Sequence, residues 1–445
     1  EEEPARRSRY NYTRAVILRD ELDDPAEAMA AFNRALDDDC QLHRAFESID
    51  ELCKALGDPG ERVKNLRRML KRITGKEVAL ELQLSLWSDL GEVLGGMGRL
   101  EDAAVALDVA CKLDPKNRER LEQLARMYGQ LRPKHALKAV RVHRALINMD
   151  PNRAHPYRGL WRAYMDAGLL DEAFCVSAML AFTGKAKSAQ QQLFDLHRDQ
   201  RLRRARNVLD EGLWRRHLTH KHQDPNISAM LALVTPVVGA MSARPAASFK
   251  LLRQELRDIN LDPDPFCGLV SHMAQVLGVA GVNLYMSPAH PCALQLLHTS
   301  GAPSLRAGGG LLRGRGDMEQ AYTVAAYLSL LRPESYLRGI MESPAELKTV
   351  IYMAFRLVQP DIPVPAGELP AVERGLKMVA DKLHPALLKQ LRQVVAHFSA
   401  SGQDLNLDRW WRAAGFTANR VGFLLCNDLK TAVKMMLAEP PKDRD

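Results

Sequence analysis

Through the first half of the chain, apolar residues recur at the i, i+3, i+4, i+7 spacing of helices with one buried face. The clearest unit spans 84–116 and carries Trp87, Leu90, Gly91, Leu94, Gly98, Ala103, Leu107, Ala110 and Pro115. This pattern predicts two antiparallel helices. Ala103 and Ala110 let them approach closely, Gly98 turns the chain between them, and Pro115 stops the second. The frame recurs downstream with Leu121, Leu124, Ala125 and Tyr128, then Ala139, His143, Leu146 and Pro151 after an insertion near Arg132-Pro133. A further unit has Tyr157, Leu160, Trp161, Tyr164, Gly168, Ala173 and Leu180. Upstream, Tyr12, Ala15, Ala28, Phe32 and Ala35 form a first unit. Phe46, Ile49, Cys53, Gly57, Leu66 and Met69 form a second, with Arg62 where a small residue is expected. Repetition at one period predicts a solenoid in which each helix pair buries its apolar face against its neighbours.

From about Leu213 the frame is lost. Residues 258–266 are turn-rich, and a helix is predicted over 266–277. Short β-like pieces follow at 282–286, 292–298 and 303–307. Helices are predicted over 317–331, 344–358, 368–382 and 385–399, and a last pair over 407–418 and 419–437. The fold class expected is mainly α: an N-terminal α-solenoid, then a mostly helical α+β domain with a small β-sheet. The expected domains are 7–187 for the array, 188–212 for a capping and connecting helix, 213–437 for the second domain and 438–445 for a tail.

The repeated frame resembles the tetratricopeptide repeat, in which large residues on helix A meet small ones on helix B. The resemblance implies partner peptides lying along helix A. Carried onto this chain, the family's groove positions include Arg44, Glu47, Glu51, Lys54, Glu92, Glu122, Arg126, Arg158 and Arg162. Arginines gather toward the fifth unit. Their guanidinium forks suit carboxylates, so an acidic or C-terminal peptide is the expected ligand. A solvated helix face without a ligand is the competing reading.

Charge adds a second theme. The 445 residues carry a net charge of +8. Residues 188–223 read as a helix bearing Arg198, Arg201, Arg203, Arg204, Arg206, Arg215 and Arg216 against Asp195, Asp199, Asp210 and Glu211. A nucleic-acid patch would need interleaved aromatics, and only Trp214 is present, so a helix sealing the array is the better reading. His217, His220 and His222 cluster here, but Arg215, Arg216 and Lys221 would repel a metal cation. Seven cysteines without a CxxC pair point to neither a disulfide scaffold nor a zinc ribbon, and a cytoplasmic, reducing compartment is expected. The apolar run 229–241 is interrupted by Thr235 and Pro236. It is shorter than the roughly 20 residues of a membrane span, so none is expected.

The second half resembles the catalytic domain of HtpX-like, CAAX-protease-like zinc metallopeptidases, and the combination resembles large bacterial proteins of myxobacterial type. Val276-Leu277-Gly278 before Val282-Asn283-Leu284-Tyr285 matches a helix and first strand. Gly308-Gly309-Gly310-Leu311-Leu312-Arg313-Gly314 matches the turn before the active helix. Trp410-Trp411-Arg412 and the segment from Ala418 to Cys426 match the family's tryptophan and ADR-type helix. The family binds zinc through HExxH, two His one turn apart with a Glu that polarises water, and a later Glu. Here Ala325, Ala326 and Ser329 stand in the HExxH positions and Gly415 stands for the third ligand, while Asn419 replaces the ADR aspartate. No nearby register restores the motif. His290, His298 and His384 lack a second His or Glu at helical spacing. No catalytic residue, metal ligand or cofactor is therefore assigned. Ser300-Gly301 and Ser304 lie outside any GxSxG frame, and no GK[ST] follows the glycines at 308, 309, 310, 314 and 316. Those glycines are expected in a turn that needs positive φ.

The function expected is a non-enzymatic protein–protein interaction scaffold or adaptor in a larger multi-protein complex. The repeats would bind a protein partner, and the peptidase-like domain would be a second docking module. Two alternatives stand beside it: a metallopeptidase with non-standard or partner-supplied ligands, and nucleic-acid binding through the basic connecting helix.

Overall fold

A computed structural model describes residues 2–76, 78–199, 201–379, 382–402 and 404–438. Most of the tail expected over 438–445, and part of the helix expected over 368–382, lie outside the described residues. The chain divides into two compact units, Glu1–His197 and Arg198–Asp445.

The first unit is a run of helical hairpins: α1 (Glu2–Asp20) with α2 (Pro25–Asp38), α3 (His43–Ala55) with α4 (Pro59–Ile73), α5 (Leu80–Gly96) with α6 (Leu100–Leu113), α7 (Arg118–Gln130) with α8 (Ala136–Met149), and α9 (Ala154–Asp166) with α10 (Leu170–Phe182), followed by α11 (Ser188–His197). Each helix packs on the one before it and the one after it. This is the α-solenoid of helical hairpins that the repeated frame predicts. Local chemistry starts and stops the helices. The Asp24 and Asp58 side chains accept from the Glu27 and Glu61 amides ahead of Pro25 and Pro59 at the first turn. Gly98 turns the chain between α5 and α6 with φ +76°, and Gly168 does the same between α9 and α10 with φ +72°.

Small residues set the helix spacing. Ala15, Ala28, Ala31 and Ala35 are fully buried between α1 and α2, and Ala103 and Ala110 play that part in α6. Arg62, the departure from the frame, has a local cause. Its guanidinium forks onto Asp50 of α3 at 2.6 and 3.1 Å, so an ion pair replaces the small-residue contact. The repeat period is also written in polar contacts. Arg7–Asp38, Arg68–Asp37, Lys134–Glu101, Arg141–Asp108 and Arg153–Glu122 each join residues 31 or 33 apart.

In the second unit, a four-stranded sheet has the order β1-β2-β4-β3, with β1 (Leu256–Arg257), β2 (Asn283–Ser287), β3 (Leu294–Leu297) and β4 (Ser304–Gly308). β2 and β4 are parallel, and the outer pairings are antiparallel. Before the sheet come the short α12 (Glu211–Leu213), a single π-turn over Trp214–Leu218, and α13 (Pro225–Ser242). α14 (Pro265–Leu277) lies between β1 and β2. After β4 come α15 (Gly309–Leu312), α16 (Asp317–Ser329), α17 (Pro333–Ile340), α18 (Pro344–Val358), α19 (Leu369–Val379), α20 (Pro385–Ala400), α21 (Leu407–Cys426) and α22 (Leu429–Ala438).

Two cores form within this unit. One holds Leu284, Leu294, Leu296, Leu305 and Ala307 of the sheet against α14, α16 and α22. The other joins α13, α18 and α20 around Trp410 and Trp411. α21 belongs to both, through its tryptophans at one end and Val421, Leu425 and Cys426 at the other.

Four expectations are corrected here. No single helix spans 188–223: α11 ends at His197, and the described residues up to Asp210 are irregular. Leu202 and Leu209 pack against a core of the second unit, but the arginines around them leave no continuous apolar stripe, and helix propensity alone does not hold a helix in water. The helix pair expected over 407–437 breaks not at 418 but at Asn427, whose φ of +50° ends α21. The run 229–241 is not broken by Pro236, because α13 continues through it. α13 is long and apolar enough to cross a membrane by length and composition, yet Ile227, Met230, Leu231 and Val234 are buried in a core of the unit. Finally, of the glycines at 308, 309, 310, 314 and 316, only Gly314 has positive φ. Gly308, Gly309 and Gly310 are glycine because the backbone of Pro288, His290 and Cys292 passes where a Cβ would sit.

Candidate partner-binding cleft

α7, α8 and α9 enclose a cleft of about 180 Å³. The first helices of two successive hairpins, α7 and α9, form its walls, and α8 forms its floor. Small side chains open it: Ala125 on α7, Ala136 and Ala139 on α8, and Gly159 and Ala163 on α9. Larger residues at these positions would close the gap between hairpins, so the repeat's demand for small residues is also what makes the cavity.

Polar groups sit at two depths. At the bottom, His143 is 6% exposed, and its Nδ1 has no hydrogen-bond partner. Burial, and secondarily the neighbouring His155, lower its pKa to about 4, so the ring is neutral near pH 7. The ring lies against Gly159, where a Cβ would overlap it. Tyr128 beside it is buried, which pushes its phenol up to about 12. At the mouth, Arg132 pairs with Asp166 across the cleft. Arg126 and Arg162 also line it, exposed and without an ion pair among the described residues. A neutral buried donor or acceptor below two unpaired guanidinium groups can fix a polar side chain and draw in negative charge.

Of the groove residues predicted from the repeat frame, the structure brings Arg126 and Arg162 into this cleft. Arg158 is half-buried one turn earlier on α9 and does not line it. Arg44, Glu47 and Lys54 lie in the second hairpin, exposed along one side of α3, and Lys54 is drawn to Asp50 at 2.7 Å. Glu51 and Glu92 are exposed on α3 and α5. Glu122 is taken by Arg118 and Arg153 at 3.0 and 2.8 Å. Sequence reasoning treated His143 only as a packing residue of its helix. A histidine where the frame calls for an apolar side chain, facing a glycine on the next helix, is the signal that marks it.

In the second unit, α16 and α21 lie side by side, and the Tyr322 hydroxyl donates to Asn419 Oδ1 at 3.0 Å. Ala325, Ala326 and Ser329 are buried, and Ser329 donates to the Ala326 carbonyl at 2.6 Å. Gly415 faces Arg338, whose Nη2 lies 2.6 Å from where a Cβ would be. The Arg338 guanidinium stacks 5.1 Å from the Trp411 ring centroid and donates to the Trp411 carbonyl. A fixed cation thus occupies the neighbourhood that the peptidase resemblance assigns to a metal ligand. Among the described residues no group of three His, Cys, Asp or Glu is placed to hold a metal ion. His298 bonds to Tyr336 and to the Gly239 carbonyl, and His290 to Arg306, while His384 caps α20.

No protein-family model matches the chain, and no curated protein is significantly similar to it. Solved structures similar to part of it include several described as TPR proteins. MamA protein is 17% identical, with a TM-score of 0.27, covering 44% of this chain and 98% of its own. YrrB, described as a TPR protein with an unusual peptide-binding site, is 20% identical, with a TM-score of 0.25, covering 39% and 90%. PilF of Pseudomonas aeruginosa is 15% identical, with a TM-score of 0.23, covering 43% and 82%.

Proposed function

We propose that this protein is a non-enzymatic interaction scaffold whose repeat array holds an acidic segment of a protein partner in the cleft between α7 and α9. The observation that carries this reading is the cleft itself. It is apolar and open, lined by two guanidinium groups with no carboxylate of their own, above a buried imidazole nitrogen with no partner. An extended acidic peptide supplies carboxylates to Arg126 and Arg162 and a polar group to His143.

The second unit serves in this reading as a further docking module of the assembly, not as a peptidase. Alanine, serine and glycine at 325, 326, 329 and 415 offer no imidazole or carboxylate, and the Arg338 cation beside Gly415 disfavours a metal there. The seven thiols are free, which suits a reducing compartment, and we assign the scaffold to the cytoplasm.

Fluorescence anisotropy with labelled peptide pools tests the proposal. An Asp/Glu-rich pool is expected to bind the full chain at least tenfold more tightly than a matched Asn/Gln pool. Arg126→Glu with Arg162→Glu is expected to remove that preference, a loss of about 1.4 kcal/mol or more. Equal binding of both pools, or a preference untouched by the double substitution, contradicts it.

A further inference from the structure

Helix α21 shows solvent a face that the fold does not use. Phe416, Phe423 and Leu424 are 51%, 41% and 46% exposed on a helix whose other side is core. At 3.6 residues per turn they fall on one stripe with Arg409, Arg412 and Arg420, all exposed. Phe416 and Phe423 are seven residues apart, about 10 Å along the axis.

The loop beside this stripe adds Lys221 and two imidazoles. The His220 ring lies 5.2 Å from Phe416, and His222 lies against His220 at 5.0 Å. The His220 imidazole is held below its ordinary range by burial first, then by Arg420, His222, Lys221 and Arg409, so three cations, Arg420, Lys221 and Arg409, lie around it. Arg420 is fixed there, donating to the Leu218 and Thr219 carbonyls at 3.2 Å. α21 itself carries one acid, Asp408, in its first turn at the stripe's edge. The whole chain shows the same asymmetry. Basic and acidic residues balance in 1–197, and the entire surplus of +8 falls in 198–445.

We propose that this stripe docks an acidic amphipathic helix of a protein partner. Two phenylalanines one heptad apart with an adjoining leucine match the apolar seam of a second helix, and flanking arginines match acids beside that seam. An interfacial membrane helix keeps its apolar face free of charge, whereas Arg420 lies between the two phenylalanines. Single-stranded nucleic acid stacks on successive aromatic rings, and these rings are separated by two turns of helix. The surface is independent of the cleft in the array, and its failure and that of the cleft are read by different variants.

The test uses the full chain and three probes: a labelled helical peptide with leucine at the a and d positions and glutamate at the flanking ones, vesicles containing phosphatidylserine, and an oligo-dT strand. The glutamate peptide is expected to bind at least tenfold more tightly than its lysine counterpart. Arg409→Glu with Arg412→Glu should invert that preference, and Phe416→Ser with Phe423→Ser should abolish binding of both. Arg374→Glu with Arg392→Glu, on α19 and α20, should change nothing, and all of these results are expected again when the variants are built on the Arg126→Glu, Arg162→Glu background, where the cleft takes no part. Arg409 and Arg412 are exposed, so the charge-inverted variant reads out even if the serine variant folds poorly. Absence of glutamate-peptide binding, or insensitivity to the inversion, overturns the proposal. So does capture of vesicles or oligo-dT through the same residues in place of the peptide.

Discussion

The two units hold together in different ways. In the array, every helix rests on its sequence neighbours, and polar links such as Arg68–Asp37 and Lys134–Glu101 span one repeat. In the second unit, the ties cross the sequence: Trp410 Nε1 donates to Ser228 Oγ, Thr417 to Gln223, and Thr235 to the Pro333 carbonyl. Damage in the array should therefore stay near its site. Damage to α21 should spread, because that helix serves both cores of its unit.

The largest effect is expected from Trp410→Ala. The side chain is fully buried, and its loss should cost about 3–5 kcal/mol. Chemical denaturation followed by hydrogen exchange should show the second unit opening as a whole while α1 to α10 keep their protection. A loss confined to the turns around 410 would break the comparison.

Acid should act on the array instead. The unfolded chain protonates His143 near pH 6.5, but the folded ring takes a proton only near pH 4. Between these values the unfolded state binds more protons, so this group's effect is to lower stability as pH falls from about 6.5 to about 4, by about 3 kcal/mol in all. His143→Ala should flatten that part of the profile relative to the parent. An unchanged slope would mean the imidazole is already charged in the fold.

A smaller effect is expected from Gly159→Ala. The added methyl meets the His143 ring, and the overpacking should cost about 1–3 kcal/mol. In the His143→Ala background most of that cost should vanish. Additive losses in the double-mutant cycle would show that the two residues do not share the space.

The same contrast governs what could be read in the sequence. The hairpins were legible because their contacts are local: Leu107 with Gly91, Ala103 with Gly95, Gly98 at the turn. Arg126 and Arg162 were legible because the frame numbers them. The His143–Gly159 contact was not, since it joins the second helix of one repeat to the first helix of the next. The strands β2, β3 and β4 were visible as short apolar pieces. β1, two residues long, carried no pattern. α13 runs through Pro236 because tertiary burial of Met230 and Val234 offsets the missing hydrogen bond. The glycines at 308 to 310 looked like a turn because close approach of a distant backbone leaves the same trace in sequence as positive φ.

Hydrogen–deuterium exchange of the full chain, with and without the saturating Asp/Glu-rich peptide pool, tests the scaffold reading most directly. Protection is expected in 118–130 and 154–166, the walls of the cleft, and should disappear in the Arg126→Glu, Arg162→Glu variant. Peptide-dependent protection that spares both walls, or that survives the double substitution, would contradict it.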